Sequence, residues 1–343
     1  MRRNIAKYLI FPIAIAAAPA LLFIYLLADN SAIRIPGDKA EIIIPTGSSF
    51  EQVLDSVNSN LKVKNRKVFN LVAEKKKYPS HIKPGRYLFY ESMSYVRFID
   101  ILRAGKQTPV QLTFNNIRNI YELAGKAGGK IEADSASIAS FLSDPVNYVK
   151  DGFTKENVIS VFIPNTYELY WNTSAEGFYN RMLKEYKRFW NEERLKKAGE
   201  LKLTPVEVST LASIIDDEVA KAEEKPMIAG VYLNRLRRGM PLQACPTIKY
   251  ALNDFTITRV LSRYLSVESP YNTYKHKGLP PGPIGCPTLE SIDAVLNAKK
   301  HDYLYFAAKA DFSGYHNFSR TLAEHNRYAN EYQRELDKRK IFK

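Results

Sequence analysis

Thr204-Pro205-Val206-Glu207-Val208-Ser209-Thr210-Leu211-Ala212-Ser213-Ile214-Ile215-Asp216-Asp217-Glu218-Val219-Ala220-Lys221-Ala222 reads as one clearly signed helix. Thr204 is a good N-cap, Pro205 suits the first helical position, and Glu207 completes a capping box. At roughly 100° per residue, Leu211, Ile214, Ile215 and Ala222 form one apolar stripe. Glu218 falls inside that stripe, and Asp216 and Asp217 fall on its flanks. Of three consecutive acids, Glu218 alone is expected to face the interior. A carboxylate on an apolar face loses hydration, so its pKa rises. An acid that keeps its proton near neutrality suits general acid catalysis. For this helix taken alone, the other reading is a structural glutamate paired with a buried arginine such as Arg235 or Arg237.

Upstream, Glu41-Ile42-Ile43-Ile44 reads as a strand, and Pro45 to Ser49 as a turn ending in a helix cap. Phe50, Val53, Leu54 and Val57 share one helical face. A second helix is expected around Val68 to Lys76. Lys83-Pro84-Gly85-Arg86 turns into a strand at Tyr87-Leu88-Phe89-Tyr90, and a helix from Tyr95 to Arg103 stops at Gly105. This strand–helix–helix–strand order is similar to a small cell-wall-binding LysM module. Residues 110–155 add a strand and helices. A long, strongly charged amphipathic helix is expected from about Ala175 to Lys197. The tail from Arg334 onward reads as a basic, solvated helix end. The fold class expected is α+β.

The N-terminus sets the expected compartment. Arg2, Arg3 and Lys7 precede an uncharged run from Tyr8 to Ala28, long enough to span roughly 30 Å as a helix. Pro12 and Pro19 are tolerable in a membrane. A cleaved signal peptide has a shorter apolar region, so an uncleaved anchor is the expectation. The positive residues stay inside, leaving the N-terminus cytoplasmic and the rest outside the cytoplasmic (inner) membrane. The expected organisation is an anchor at 1–28, a tether at 29–40, the LysM-like unit at 41–112, a connecting region at 113–159 and a catalytic domain at 160–343.

The 343 residues carry a formal net charge of +14. That balance suits a surface beside an anionic membrane. No basic helix with interleaved aromatics stands out, so nucleic acid is not an expected partner. His316 and His325 match no common ligand spacing, and no metal or cofactor is expected. A serine nucleophile elbow and a phosphate-binding glycine loop are both absent.

The segment Leu211 to Glu218 resembles the catalytic helix of the YceG-like family, the membrane-anchored endolytic murein transglycosylases. The resemblance continues through Val231 to Leu236, Gly239 to Gln243, Pro246-Thr247, Tyr271-Asn272-Thr273-Tyr274 and Gly278 to Ile284. It extends to Tyr303 to Phe306 and Glu324-His325-Asn326. Ile163-Pro164-Asn165-Thr166-Tyr167 looks like the family's Pro-Asp-Thr-Tyr element with Asn165 replacing the acid. The match covers roughly residues 160–330.

The resemblance implies that Glu218 is the catalytic acid. It implies a lyase that cuts peptidoglycan glycan strands between N-acetylmuramic acid and N-acetylglucosamine, leaves 1,6-anhydro ends, and works near peptidoglycan synthases. Asn234, Gln243, Tyr271, Asn272 and Tyr274 are candidates for holding the sugar, with Tyr167 as a stacking platform; for Asn272, nucleating a turn is the equal alternative. Gly278 to Pro283 is expected to be a rigid groove wall. Cys245 and Cys286 depart from the family pattern, each before a proline; a disulfide between their loops is one expectation and a free pair the other. Two further functional readings stay open here: a non-catalytic wall-binding scaffold, and a hydrolytic muramidase, which needs a second carboxylate near the bond.

Overall fold

The computed structural model describes residues 29–257 and 260–339. The expected membrane helix over residues 1–28 lies outside them. Among the described residues no helix is long and apolar enough to cross a membrane. The architecture is α+β, with helices and two-stranded antiparallel pairs. Two compact units divide the chain. One holds the described residues up to Gln111 with Lys130–Ala133 and Glu168–Ser174; the other holds Leu112–Gly129, Asp134–Tyr167 and the chain from Ala175.

In the first unit, β1 (Ile33–Arg34) precedes β2 (Ala40–Ile44) and helix α1 (Phe50–Asn60). The short β3 (Lys62–Val63) follows, then α2 (Arg66–Lys75), β4 (Gly85–Phe89) and α3 (Tyr95–Ala104). β2 and β4 are antiparallel, with Ala40 opposite Phe89 and Ile42 opposite Tyr87. Alternation puts Ala40, Ile42 and Ile44 into the core and leaves Glu41 outside to pair with Arg86. Ser49 caps α1 through a complete capping box with Gln52. α3 stops at Gly105, whose φ of 67° fits a left-handed cap. Phe69, Tyr87, Phe89, Phe98 and Leu102 fill the centre. Fully burying each such side chain contributes about 1.5–3 kcal/mol. The pairing of β1 with β3 has no counterpart in the sequence reading.

The second unit takes in most of β5 (Val110–Phe114), then α4 (Ile120–Gly128), α5 (Ser135–Ser143) and part of β6 (Asn165–Leu169). The single helix expected from Ala175 to Lys197 is two: α6 (Ala175–Phe189) and α7 (Glu192–Leu201). Asn191 makes the break, because its side chain caps α7 by accepting from the Arg194 N–H. The central helix is α8 (Pro205–Glu218), where every residue from Val208 to Ile215 is buried. It is therefore enclosed on all sides rather than along one stripe. It also ends earlier than expected: Val219 is extended, and Ala222 belongs to the short turn Ala222–Glu224.

Around α8 pack α7, α9 (Lys225–Arg237), α10 (Cys245–Leu252) and α11 (Leu289–Leu296). The chain then forms the hairpin β7 (Tyr305–Ala308) and β8 (His316–Ser319), covered by α12 (Leu322–Lys338). The segment from Gly278 to Pro283 is seated closely: a Cβ on Gly282 would run into the Glu156 carbonyl, so only glycine fits there.

Candidate active site

The start of α8 is satisfied as its sequence dictates. The Thr204 hydroxyl accepts from the Glu207 N–H at 3.2 Å, and the Glu207 carboxylate accepts from the Thr204 N–H at 2.7 Å. Inside the helix the buried hydroxyls also find partners. Thr210 donates to the Val206 carbonyl at 2.8 Å, and Ser213 accepts from the Ile284 N–H at 3.0 Å. That second bond ties the end of the Gly-Pro segment to the helix.

The three acids at the other end have three environments. Asp216 does not point away from the protein as expected. It turns in toward the N-terminus of α11, accepting from Ser291 Oγ at 2.6 Å, Thr288 Oγ1 at 2.8 Å and the Thr288 N–H at 3.0 Å. The ammonium of buried Lys225 lies 3.0 Å away. Burial pushes its pKa up, but the bonds from Ser291, Thr288 and Lys225 outweigh that and hold it below the usual carboxylate range. Asp217 faces outward and pairs with Arg118 at 3.1 Å.

Glu218 has neither kind of support. Its Oε2 is shut away from solvent without a hydrogen-bond partner. Burial pushes the carboxyl up to about 7; Lys249 pulls it back and Asp217 pushes it further. The arginine pairing considered from the sequence does not occur. Arg235 donates to the carbonyls of Leu304 at 2.6 Å and Leu242 at 2.8 Å and to Gln243 Oε1 at 3.3 Å. Its guanidinium also lies over the Tyr305 ring. Arg237 donates to Asn234.

Tyr232 of α9, Cys245 and Lys249 of α10, and Tyr274 are near enough to the Glu218 carboxyl to feel its charge. Burial, with the Glu218 charge adding to it, pushes the ionisation of Tyr232, Cys245 and Tyr274 up. Cys245 Sγ lies 3.3 Å from the Tyr274 hydroxyl. Gln243 holds a left-handed backbone, φ 53°, and its N–H donates to the Thr273 carbonyl at 3.0 Å. Gln243 and Tyr274 therefore belong to one cluster around Glu218 and Arg235.

The other candidates are engaged in the framework. Asn234 donates to the carbonyls of His301 at 2.7 Å and Tyr303 at 3.0 Å, fastening α9 to the chain entering β7. Asn272 is wholly buried: its amide donates to Leu265 and Val267 carbonyls, and its Oδ1 accepts from the Tyr274 N–H. That is the turn-forming role weighed against sugar binding, with the side chain directed into its own loop. Tyr271 packs at a tilt against Tyr250 with centroids 4.6 Å apart and donates to the Glu156 carbonyl. Tyr167 is 6% exposed, stacked on Phe114 and bonded to the Ile163 carbonyl, so its ring is core and not a free platform.

The two cysteines are free. Cys286 is buried beside the Ile159 carbonyl and Cys245 sits by Tyr274. The disulfide expectation gives way to the free pair, because each thiol packs in its own surroundings. His316 pairs with Glu224, and His325 stacks on Tyr305. The sequence reading missed Arg118 and Lys249. Lys249 carries a faint signal, one helical turn after Cys245. Arg118 carries none.

Comparison with known proteins gives the chain's relatives. The YceG-like family model matches residues 42–331. A Bacillus subtilis (strain 168) protein named endolytic murein transglycosylase is 31% identical over 310 residues, covering 85% of this chain and 84% of that protein. A Streptococcus pneumoniae (strain D39) protein of the same name is 28% identical over 341 residues; the alignment covers 89% of this chain but 60% of that longer protein. A 2.6 Å crystal structure of a YceG-like protein from Listeria monocytogenes superposes with a TM-score of 0.56 at 28% identity, covering 84% of this chain and 98% of that one. The family match spans both units and the acid-bearing helix, and the chain belongs to the YceG-like family.

Proposed function

We propose that this chain is an endolytic murein transglycosylase with Glu218 as its catalytic acid and base. The observation that carries the reading is the lone, unpartnered, proton-holding carboxyl at the end of a fully packed helix. Protonated Glu218 gives its proton to the oxygen of the bond between N-acetylmuramic acid and N-acetylglucosamine. The C1–O bond breaks and charge develops on the muramic ring. The C6 hydroxyl attacks C1 and returns its proton to the Glu218 carboxylate. One carboxyl thus serves both steps, and the product is a 1,6-anhydro end.

A hydrolase needs a second free carboxylate for water or for covalent attack. On this helix Asp216 is locked by Ser291, Thr288 and Lys225, and Asp217 is paired with Arg118. That supports transglycosylation over hydrolysis. Gln243 and Tyr274 are the side chains from the sequence reading best placed to meet the sugar.

The remaining parts of the proposal concern placement. Residues 1–28 anchor the chain in the cytoplasmic membrane with Arg2, Arg3 and Lys7 inside. The strand–helix–helix–strand unit at 41–112 acts as a LysM-like wall-binding module, and residues 160–343 carry catalysis. Cutting nascent strands beside the synthases limits strand length. Reporter fusions after Ala28 test the orientation: activity only outside the membrane is expected, and activity inside contradicts it. The function is tested by digesting purified peptidoglycan with the wild type and with Glu218→Gln and weighing the released sugars. Anhydro-ended fragments from the wild type alone are expected. Reducing ends, or equal cleavage by the variant, contradict the reading.

A further inference from the structure

Helix α8 closes with Asp216, Asp217 and Glu218 and has no basic residue in its last turn. The carbonyl end of a helix is the negative end of its dipole, so three acids there are disfavoured by their own helix. The compensating cations come from other elements. Lys225 serves Asp216, and Arg118, 99 residues earlier in the chain, serves Asp217.

Arg118 is held from several sides. Its Nη1 is 3.1 Å from Asp217 Oδ2, and the guanidinium lies 4.2 Å from the centre of the Phe255 ring. Its backbone N–H donates to Glu122 at 2.9 Å, and the preceding carbonyl, of Ile117, accepts from the Cys286 N–H at 2.7 Å. The guanidinium is thus fixed between a carboxylate and an aromatic face, an arrangement that suits arginine's planar group and not lysine's ammonium. The Arg118 and Asp217 side chains are 33% and 32% exposed. A pair that open to water adds little to stability. Its consequence falls instead on the next residue, Glu218.

We propose that Arg118 is a positioning residue of the transglycosylase reaction: by neutralising Asp217 and holding it toward Phe255, it keeps an uncompensated negative charge away from the proton that Glu218 must release and recover. The inference rests on the function proposed above. The groups facing Glu218 are Lys249 and Cys245 from α10, Tyr232 from α9, Tyr274 from the following loop and Asp217 from its own helix. Among them Lys249 brings the basic side chain and Asp217 the second carboxylate. An unshielded Asp217 makes Glu218 a weaker acid, which gives up its proton less readily to the glycosidic oxygen.

The test is the rate of anhydro-end formation by the full chain between pH 5 and 9. It compares the wild type with Arg118→Gln, Arg118→Lys, Asp217→Asn and the Arg118→Gln/Asp217→Asn double variant. Arg118→Gln is expected to lower the plateau rate several-fold and move the alkaline limb of kcat/KM up by roughly half a pH unit. Asp217→Asn moves the limb down. The double variant brings it back to the wild-type position, and Arg118→Lys, which keeps the charge but not the planar seat, places it between Arg118→Gln and the wild type. An alkaline limb at one pH in every variant, with rates lowered alike, overturns the proposal and leaves an ordinary structural pair. Should Arg118→Gln not fold, Arg118→Lys against Asp217→Asn still decides: limbs displaced to opposite sides of the wild type support the role, and a common position overturns it. A wild type without anhydro products is a failure of the function, not of this inference. The carbon-13 titration of the Glu218 carboxyl, assigned with Glu218→Gln, then decides: the same order of midpoints supports the role, and a common midpoint overturns it.

Discussion

The two ends of α8 are built on opposite principles. At its start every group set by the sequence has a local partner: the Thr204 hydroxyl, the Glu207 carboxylate and Pro205 together meet the needs of a first turn. At its end one carboxyl oxygen is enclosed with no partner at all. A helix end that only had to be stable would resemble the first. The second keeps a proton-holding carboxyl where a proton is to be transferred, two residues after Asp216, which is fully engaged. Stability and chemistry are thus divided between adjacent residues of one turn.

The contrast is broken most severely at Glu218. Glu218→Gln is expected to lower the rate of anhydro-end formation by about 10²–10⁴-fold, the scale of a lost general acid–base, without lowering the melting temperature. Asp216→Ala should do the reverse in kind. It strands Lys225 and the α11 cap and is expected to cost roughly 3–5 kcal/mol in denaturant unfolding.

The pH dependence of stability sharpens the comparison. Glu218 holds its proton up to about 7 when folded but releases it near 4.3 when unfolded. The unfolded chain therefore binds fewer protons between those values, and stability falls as pH rises through them, by up to roughly 3–4 kcal/mol. Glu218→Gln should remove that slope. The smallest effect belongs to the satisfied end: Thr204→Ala is expected to cost about 1 kcal/mol and leave activity per folded molecule unchanged.

What could be read from the sequence was local. The caps at Ser49 and Thr204 and the stop at Gly105 follow from a few neighbouring residues, and the structure has all three; Glu218 is half-buried, with its Oε2 enclosed, but it is not the only one of the three acids turned inward. Where a side chain's partner is remote, periodicity failed. Asp216 lay on the flank of the predicted stripe, yet α11 packs there and draws it inward. Arg118 and Asp217 meet across 99 positions. Asn272 offers the amide chemistry of a sugar ligand and spends it on its own loop. The break at Asn191 was legible, since an asparagine followed by Glu192 and Glu193 is a helix start, but the charged periodicity on either side hid it.

The central claim is that Glu218 passes one proton out and back with no water entering the product. Digesting glycan strands in oxygen-18 water and weighing the new muramic ends tests it directly. The account predicts anhydro ends free of solvent oxygen. Ends that carry one labelled oxygen would contradict it.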